Sequence, residues 1–430
     1  SSDLIASSDP SSSLDEGDLA FNTSANVLKY YNGSSWITIV AGSLTDIVQD
    51  GSPQLGGNLD LNSNSITGTG NLDISNGTIK LDGNYPTGTD NVALGNTALT
   101  SVEAGGVQNT AIGSESGADI TTGDNNTAVG RKSLRSTTTG HSNVALGNST
   151  LCKNVTGTRN TAIGLSALFN TLEDSNTAIG ASAMAANTTG EFNVAVGDNA
   201  LCTNTTADNN TAVGFESLKL NTTGNENVAV GKDSLKSNTT ATNNTAIGFI
   251  SLCSNTTGTN NTAVGYGALD ANTEGDNNTG VGGNALGANT TGASNTAMGF
   301  ESLKTNNVGE FNTAIGHYAG ETSTGNNCTF IGKSSKANPV TVNNSTAIGY
   351  NATCTASNQI MLGTSSETVR IAGDLDIAGS FLDNGTAFGL DGLSDAKVGG
   401  AQFTNSMLLG TTTTGTLNNA EGNLGIGKDS

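Results

Sequence analysis

The sequence predicts an all-β chain whose bulk is a parallel β-roll, a β-solenoid of about sixteen rungs of roughly 17 residues, with small β modules at both ends. Three observations carry that prediction. The pentapeptide Asn-(Thr/Val)-Ala-(Val/Ile/Leu)-Gly recurs in register from Asn91 to Gly349. Twelve of the fifteen intervals between its closing glycines are 17 residues, and the others are 18, 16 and 16. Most intervals also carry a second turn of the type Asn-Thr-Thr-Gly, as at residues 221–224 and 255–258. A coiled coil repeats every 7 residues and helical hairpin arrays at about 33 or more, so this period fits one coil of a solenoid.

Composition closes the other routes. The 430 residues include 58 Gly but only 11 Phe, 6 Tyr and 1 Trp, too few bulky side chains for several globular cores. Four Pro rule out collagen or polyproline, and 12% charged residues is low for a disordered chain. The formal net charge of −21 opposes binding to nucleic-acid phosphate or anionic lipid and keeps a long particle soluble. No apolar run approaches the roughly 20 residues of a membrane helix. The chain begins with Ser1 rather than Met, and processing or truncation fits that start.

Four segments follow in order. Residues 1–42 read as an N-terminal β-meander with a hairpin turn at Asn32-Gly33. Residues 43–90 form a connector of short alternating strands, such as 57–62 and 70–74. Residues 91–363 are the repeats, and 364–430 are a second connector that ends as a new repeat opens at 423–430. The phrase Gly-Asp-Leu-Asp-Ile at 373–377 echoes the first connector, which suits a cap used at both ends of the roll.

Within a rung the residue types assign the roles. Side chains alternate along a strand, so Thr211 and Val213 share one face and Ala212 takes the other. Gly214 turns the chain where a side chain would clash or φ must be positive. Four residues later stands a second apolar position, Leu218, so a rung is expected to hold two short strands and two turns. Asn210 leads the unit, and an Asn does so in fourteen of sixteen units, which predicts a ladder of side-chain hydrogen bonds between rungs. The next unit repeats the assignment with Asn227, Ala229, Val230, Gly231 and Leu235. Sixteen rungs stacked at strand spacing span roughly 75 Å.

These repeats resemble the YadA-like head repeats of trimeric autotransporter adhesins, over residues 91–363. The resemblance implies a left-handed parallel β-roll with three chains packed on a common axis. The family's usual unit is 14 residues, and the additional three here fall near the Asn-Thr-Thr-Gly turn. The flanks, notably residues 19–36 and 44–74, are similar to modules of bacteriophage fibres, especially of tailed phages of marine cyanobacteria, which also carry such repeats.

Catalytic, cofactor-binding and metal-binding residues are not predicted. His141 falls in a turn and His317 just after a rung Gly, both read as surface residues. Cys152, Cys202, Cys253 and Cys354 each follow a rung Gly by five residues, and the first three are three rungs apart, too far for an intrachain disulfide. They read as small buried hydrophobes. Asp124, Asp208 and Asp276 read as solvated turn acids.

The expected function is therefore structural and not enzymatic: a homotrimeric segment of a phage tail fibre or virion appendage that spaces and presents host-attachment surfaces. Its expected partners are its own copies, other fibre or tail proteins, and a host surface glycan or outer-membrane protein, without nucleic acid or membrane insertion. Receptor contacts are expected on the variable positions after the rung Gly: Phe215, Glu216, Phe249, Tyr266, Phe300 and His317. The alternatives are an autotransporter-type adhesin head on a bacterial surface and a polysaccharide depolymerase fibre. The last would carry an insertion with clustered Asp or Glu, for which the even spacing from Gly95 to Gly349 leaves no room.

Overall fold

The computed structural model describes residues 5–6, 9, 18–25, 27–39, 88–372, 382–383 and 386–387. The chain divides into two units, residues 1–79 and 80–430. Most of the expected connector over 43–90, the echo at 373–377 and the incipient repeat at 423–430 lie outside the described residues.

In the first unit, β1 (Ile5–Ala6), β2 (Leu19–Asn22), β3 (Val27–Tyr31) and β4 (Trp36–Ile39) form one sheet in the order β1-β2-β3-β4. The β2–β3–β4 part is the expected antiparallel meander, and β1 adds to it in parallel. Asn32 closes the β3–β4 turn: its Oδ1 accepts the backbone N–H of Ser34 and of Ser35 at 3.1 and 2.8 Å. Gly33 supplies the left-handed residue, with φ of 88°. The Tyr31 and Trp36 rings face each other across the two strands at 5.5 Å.

The second unit is a parallel β-solenoid. Seventeen three-residue strands, from Val92–Leu94 to Ile360–Leu362, pair in sequence order, every pair parallel and in register. The pairing Thr211↔Val228, Ala212↔Ala229, Val213↔Val230 is typical, so equivalent residues stack directly above one another. No pair joins the last strand to the first; the ladder is open, and its ends are about 77 Å apart at strand spacing. The final strand, at 360–362, adds one rung to the sixteen read from the glycines.

The interior is one column wide. Ala212 and Ala229 point inward and are fully buried, as are Leu218 and Leu235 from the other side of the coil. Thr211 and Val213 share the outer face, half-buried. Rung after rung, one strand Ala meets one turn Leu, and these stack into a single continuous core. Five of the sixteen rungs hold another residue at the Leu position, Gly117, Met184, Gly320, Lys336 and Thr353, and the two glycine rungs compensate. Gly117 stands at its position with Ile120 filling the space, and Gly320 with the fully buried Phe330, which replaces the strand Ala of the next rung.

The glycine that ends each strand is fixed twice over. Gly214 has φ of 137°, and a Cβ there would lie 2.5 Å from the carbonyl oxygen of Gly231, the equivalent glycine one rung on. Rungs at strand spacing can stack only because neither glycine carries a side chain.

The Leu side of the rung differs from expectation. It is a run of turns rather than a second strand, because Glu216 and Leu218 both adopt left-handed conformations, with φ of 57° and 48°. Alternating left-handed residues curl the chain out of an extended path. Its backbone still bonds to the neighbouring rung, Leu218 N–H donating to Ser234 O and Leu220 N–H to Lys236 O, each at 3.0 Å. On this side, among the described residues, only Lys336–Ala337 and Thr353–Cys354 are extended enough to pair as strands.

The leading asparagines form the expected ladder. Asn210 Oδ1 accepts the backbone N–H of Asn227 at 3.0 Å, and Asn227 Oδ1 that of Asn244 at 3.0 Å. Most of the side-chain amides also donate across the coil, as Asn227 Nδ2 does to Ala241 O at 2.9 Å. A second ladder, which the turn reading missed, runs through the Asn of the Asn-Thr-Thr-Gly turns. Asn238 Nδ2 donates to Asn221 Oδ1 at 2.8 Å, and Asn255 Nδ2 to Asn238 Oδ1 at 3.0 Å. It continues unbroken from Asn187 to Asn306, all fully buried. Because every amide donates toward the N-terminus, the last acceptor, Asn306 Oδ1, is left buried with no partner.

Candidate functional site

The interior is filled by one continuous column of packed side chains, so a surface that meets a partner must lie on the outside of the coil. Two features there exceed what a solvated surface needs.

The first is the outer face of the sheet. The third residue of each strand points outward, and it is Val, Ile, Leu or Met throughout. Ile163 is 38% exposed, Ile247 41%, Met298 45% and Ile315 42%, so the larger side chains of the row are partly uncovered, while its Val members such as Val213 are half-buried. Beside this row runs the half-buried Thr or Val row that contains Thr211 and Val228. The two rows together make a strip of aliphatic and threonine side chains along the full length of the roll.

The second is the column just after the rung Gly. It reads Phe215, Lys232, Phe249, Tyr266, Gly283, Phe300, His317, Lys333 and Tyr350 on successive rungs. In-register stacking brings these side chains into one stripe. Phe249 and Tyr266 stack at 5.8 Å with 26° between ring planes, and Phe300 and His317 at 5.4 Å with 22°. The Lys232 ammonium lies 5.8 Å from the Phe215 ring and 5.6 Å from the Phe249 ring, a cation held between two π faces. Tyr318 meets the His317 ring edge-on at 4.0 Å.

The five predicted contact residues thus lie on one column in two groups, Phe215, Phe249 and Tyr266 on one side of Gly283 and Phe300 and His317 on the other. Glu216 is not on that column; it lies beside it and binds Lys219 and Lys236, each at 2.7 Å. Those two hydrogen bonds hold its carboxyl below the usual glutamate range, Lys219 contributing most. Sequence reasoning missed Lys232, Lys333 and Tyr350, although they occupy the same register position. Lys232 and Lys333 were passed over because the reading favoured aromatic residues, and Tyr350 because it stopped at His317.

The remaining polar groups serve the scaffold. Asp208 and Asp276 do more than face solvent: each accepts the backbone N–H of the equivalent turn one rung earlier, from Glu191 at 2.8 Å and from Thr259 at 2.6 Å. His141 is exposed, its Nδ1 3.3 Å from Ser142 Oγ. All five cysteines are free thiols, and burial raises the pKa of each, which disfavours the reactive thiolate. Cys152, Cys328 and Cys354 are buried and Cys202 and Cys253 half-buried. Among the described residues, no three His, Cys, Asp or Glu side chains come together as metal ligands, and no helix is long and apolar enough to cross a membrane. No protein-family model matches the chain, and no curated protein matches it either.

Proposed function

We propose that the chain is a shaft segment of a homotrimeric fibre, in a phage tail fibre or related virion appendage, whose work is mechanical. The observation that carries this reading is the outward aliphatic row on the strands, uninterrupted from Leu94 to Leu362. A partner that covers it must present apolar groups at the same strand-spacing repeat over about 77 Å. Another copy of this chain meets that requirement with no further design, and three copies around an axis would enclose all three rows at once. The resemblance of the repeats to adhesin heads and of the flanks to phage fibre modules supports the same assembly.

Stacked rungs make a stiff rod because each is bonded to both neighbours through backbone and asparagine ladders. Such a rod holds a binding surface away from a particle, and threefold copies let individually weak contacts to a host glycan or outer-membrane protein act together. Light scattering on the purified protein tests the proposal. The chain is 42.9 kDa, and a stable particle of three times that mass is expected. A folded monomer at micromolar concentration would sink the trimeric fibre.

A further inference from the structure

The two 16-residue intervals, Gly164–Gly180 and Gly316–Gly332, leave the same mark on the coil. Each lacks one residue at the corner that most rungs build as Asn-Thr-Thr-Gly; Thr171-Leu172-Glu173 and Ser323-Thr324-Gly325 stand there instead. A shorter hydroxyl residue thereby replaces the buried turn asparagine. Asn154 and Asn306, the turn asparagines one rung before these corners, carry the two buried side-chain oxygens that have no hydrogen-bond partner among the described residues. The hydroxyls do not reach them: Thr171 Oγ1 accepts from Asn187 Nδ2 at 3.1 Å and Ser323 Oγ from the Ala337 N–H at 3.3 Å.

The backbone shows the same two gaps independently. From Glu103 to Thr324, the residue eight places after each rung Gly donates its N–H to its equivalent on the following rung, as Thr222 does to Thr239 O at 2.9 Å. The bond is missing at Val155 and Asn307 alone, the residues next to Asn154 and Asn306. Irregular length as such is not the cause, since the 18-residue interval Gly95–Gly113 keeps its bond, from Glu103 N–H to Thr121 O at 2.9 Å. The neighbouring side of the coil also stays joined, with Lys153 N–H donating to Phe169 O at 3.0 Å and Thr305 N–H to Glu321 O at 2.9 Å. We propose that the two short corners are built-in joints, at which the rungs part first and the rod bends, while the block between them opens as one unit. A solenoid is held by the sum of its rung-to-rung contacts, so it yields where a contact has lost both a backbone and a side-chain bond. The joints are nine rungs apart, about 43 Å at strand spacing. They belong to a single coil, so this proposal stands apart from the trimeric reading.

Hydrogen exchange of the full chain, read by mass spectrometry at single amides, tests this. The bonds made by Lys153 and Thr305 match those of Leu220 and Ser237 in mid-block, which donate to Lys236 O and Cys253 O at 3.0 and 3.1 Å, so bond geometry alone predicts equal protection. The joints instead predict exchange about tenfold or more faster at Lys153 and Thr305. Asp119 and Ser136, closer to the N-terminal end of the roll and bonded at 3.0 and 3.1 Å, should again be slow. Equal protection throughout, or a smooth rise toward both ends as in simple fraying, would overturn the proposal. Two grafts then test the cause. Asn-Thr-Thr-Gly in place of residues 171–173 restores the 17-residue interval and a donor for Asn154 Oδ1, and should slow Lys153 to the mid-block rate. The converse graft, Thr-Leu-Glu in place of residues 238–241, should speed Leu220 about tenfold and reports alone if the first graft does not fold. Exchange at Lys153 or Leu220 that its graft leaves unchanged would equally overturn the assignment, because the short corner would not be its source.

Discussion

The pairing of Gly320 with Phe330 permits a sharp test of how the core is built. A Cβ on Gly320 would lie 2.7 Å from Phe330 Cδ2 and 2.9 Å from Leu303 Cδ2, so the phenyl ring already occupies the volume that a turn Leu fills elsewhere. Phe330→Ala empties that volume with nothing to replace it and should cost about 3–5 kcal/mol, as large-to-small changes in rigid cores do. Gly320→Leu forces a side chain into the occupied space and should cost about 1–3 kcal/mol or more. The backbone itself is no obstacle to leucine: eleven leucines hold this register position with φ between 47° and 54°, and Gly320 has 59°. The double variant recreates the common rung, Ala on the strand and Leu at the turn. Additivity would make it worse than either single change; compensation should bring it to within about 1–2 kcal/mol of the parent. Hydrogen exchange across residues 303–346 is the suitable assay, because a solenoid opens locally rung by rung and a global melt can hide the event. A double variant whose amides exchange as fast as the sum of the singles predicts would refute the idea that the core is one interchangeable column.

Two further perturbations probe the polar part of the scaffold. Asn238→Ala breaks the buried ladder at its centre, removing the donor to Asn221 Oδ1 and the acceptor for Asn255 Nδ2, and should cost about 2–4 kcal/mol in equilibrium denaturation; a loss under about 0.5 kcal/mol would mean the ladder is ornamental. Burial, only partly offset by the backbone N–H groups of Ala271 and its own residue, raises the Asp270 carboxyl above its usual range. Its contribution is favourable while protonated below about pH 3.9 and is lost as the pH rises through the raised value. Asp270→Asn should accordingly melt higher than the parent at pH 7, with the difference closing toward pH 3, and a melting difference that grows on acidification would contradict this assignment.

Much of the architecture was legible because in-register stacking forces like above like. An alanine that fits inside one coil fits inside the next, so Ala212, Gly214 and Leu218 recur and their period reports the rung directly. What failed to read was set by backbone conformation rather than by residue type. Leucine normally disfavours positive φ, so nothing in its recurrence announced that Leu218 sits in the left-handed region and that its segment is a turn. Asparagine in an Asn-Thr-Thr-Gly phrase is an ordinary turn residue, and only its complete burial shows Asn238 to be part of a second ladder. The 17-residue recurrence was the available signal there, since a turn exposed to water has no reason to keep the same amide on eight consecutive rungs from Asn187 to Asn306.

The same stacking explains why the candidate surfaces are where they are. Each rung spends its inward positions on Ala, Leu and Asn, whose volumes and hydrogen bonds must match the rung above, and any change there needs a partner change such as Gly320 with Phe330. The position after the rung Gly is tied to the next rung through its backbone C=O, and its side chain is exposed on nearly every rung, so the residue type is free to differ from rung to rung. It nevertheless carries an aromatic or cationic residue on eight of the nine rungs between Phe215 and Tyr350, whereas the five rungs before Phe215 from Gly130 onward carry Arg131, Asn148, Leu165, Ala181 and Asp198. A stripe of this chemistry confined to one half of a repetitive rod is not required by the fold, since the earlier rungs stack without it. Half of the rod is thereby made chemically distinct from the other half.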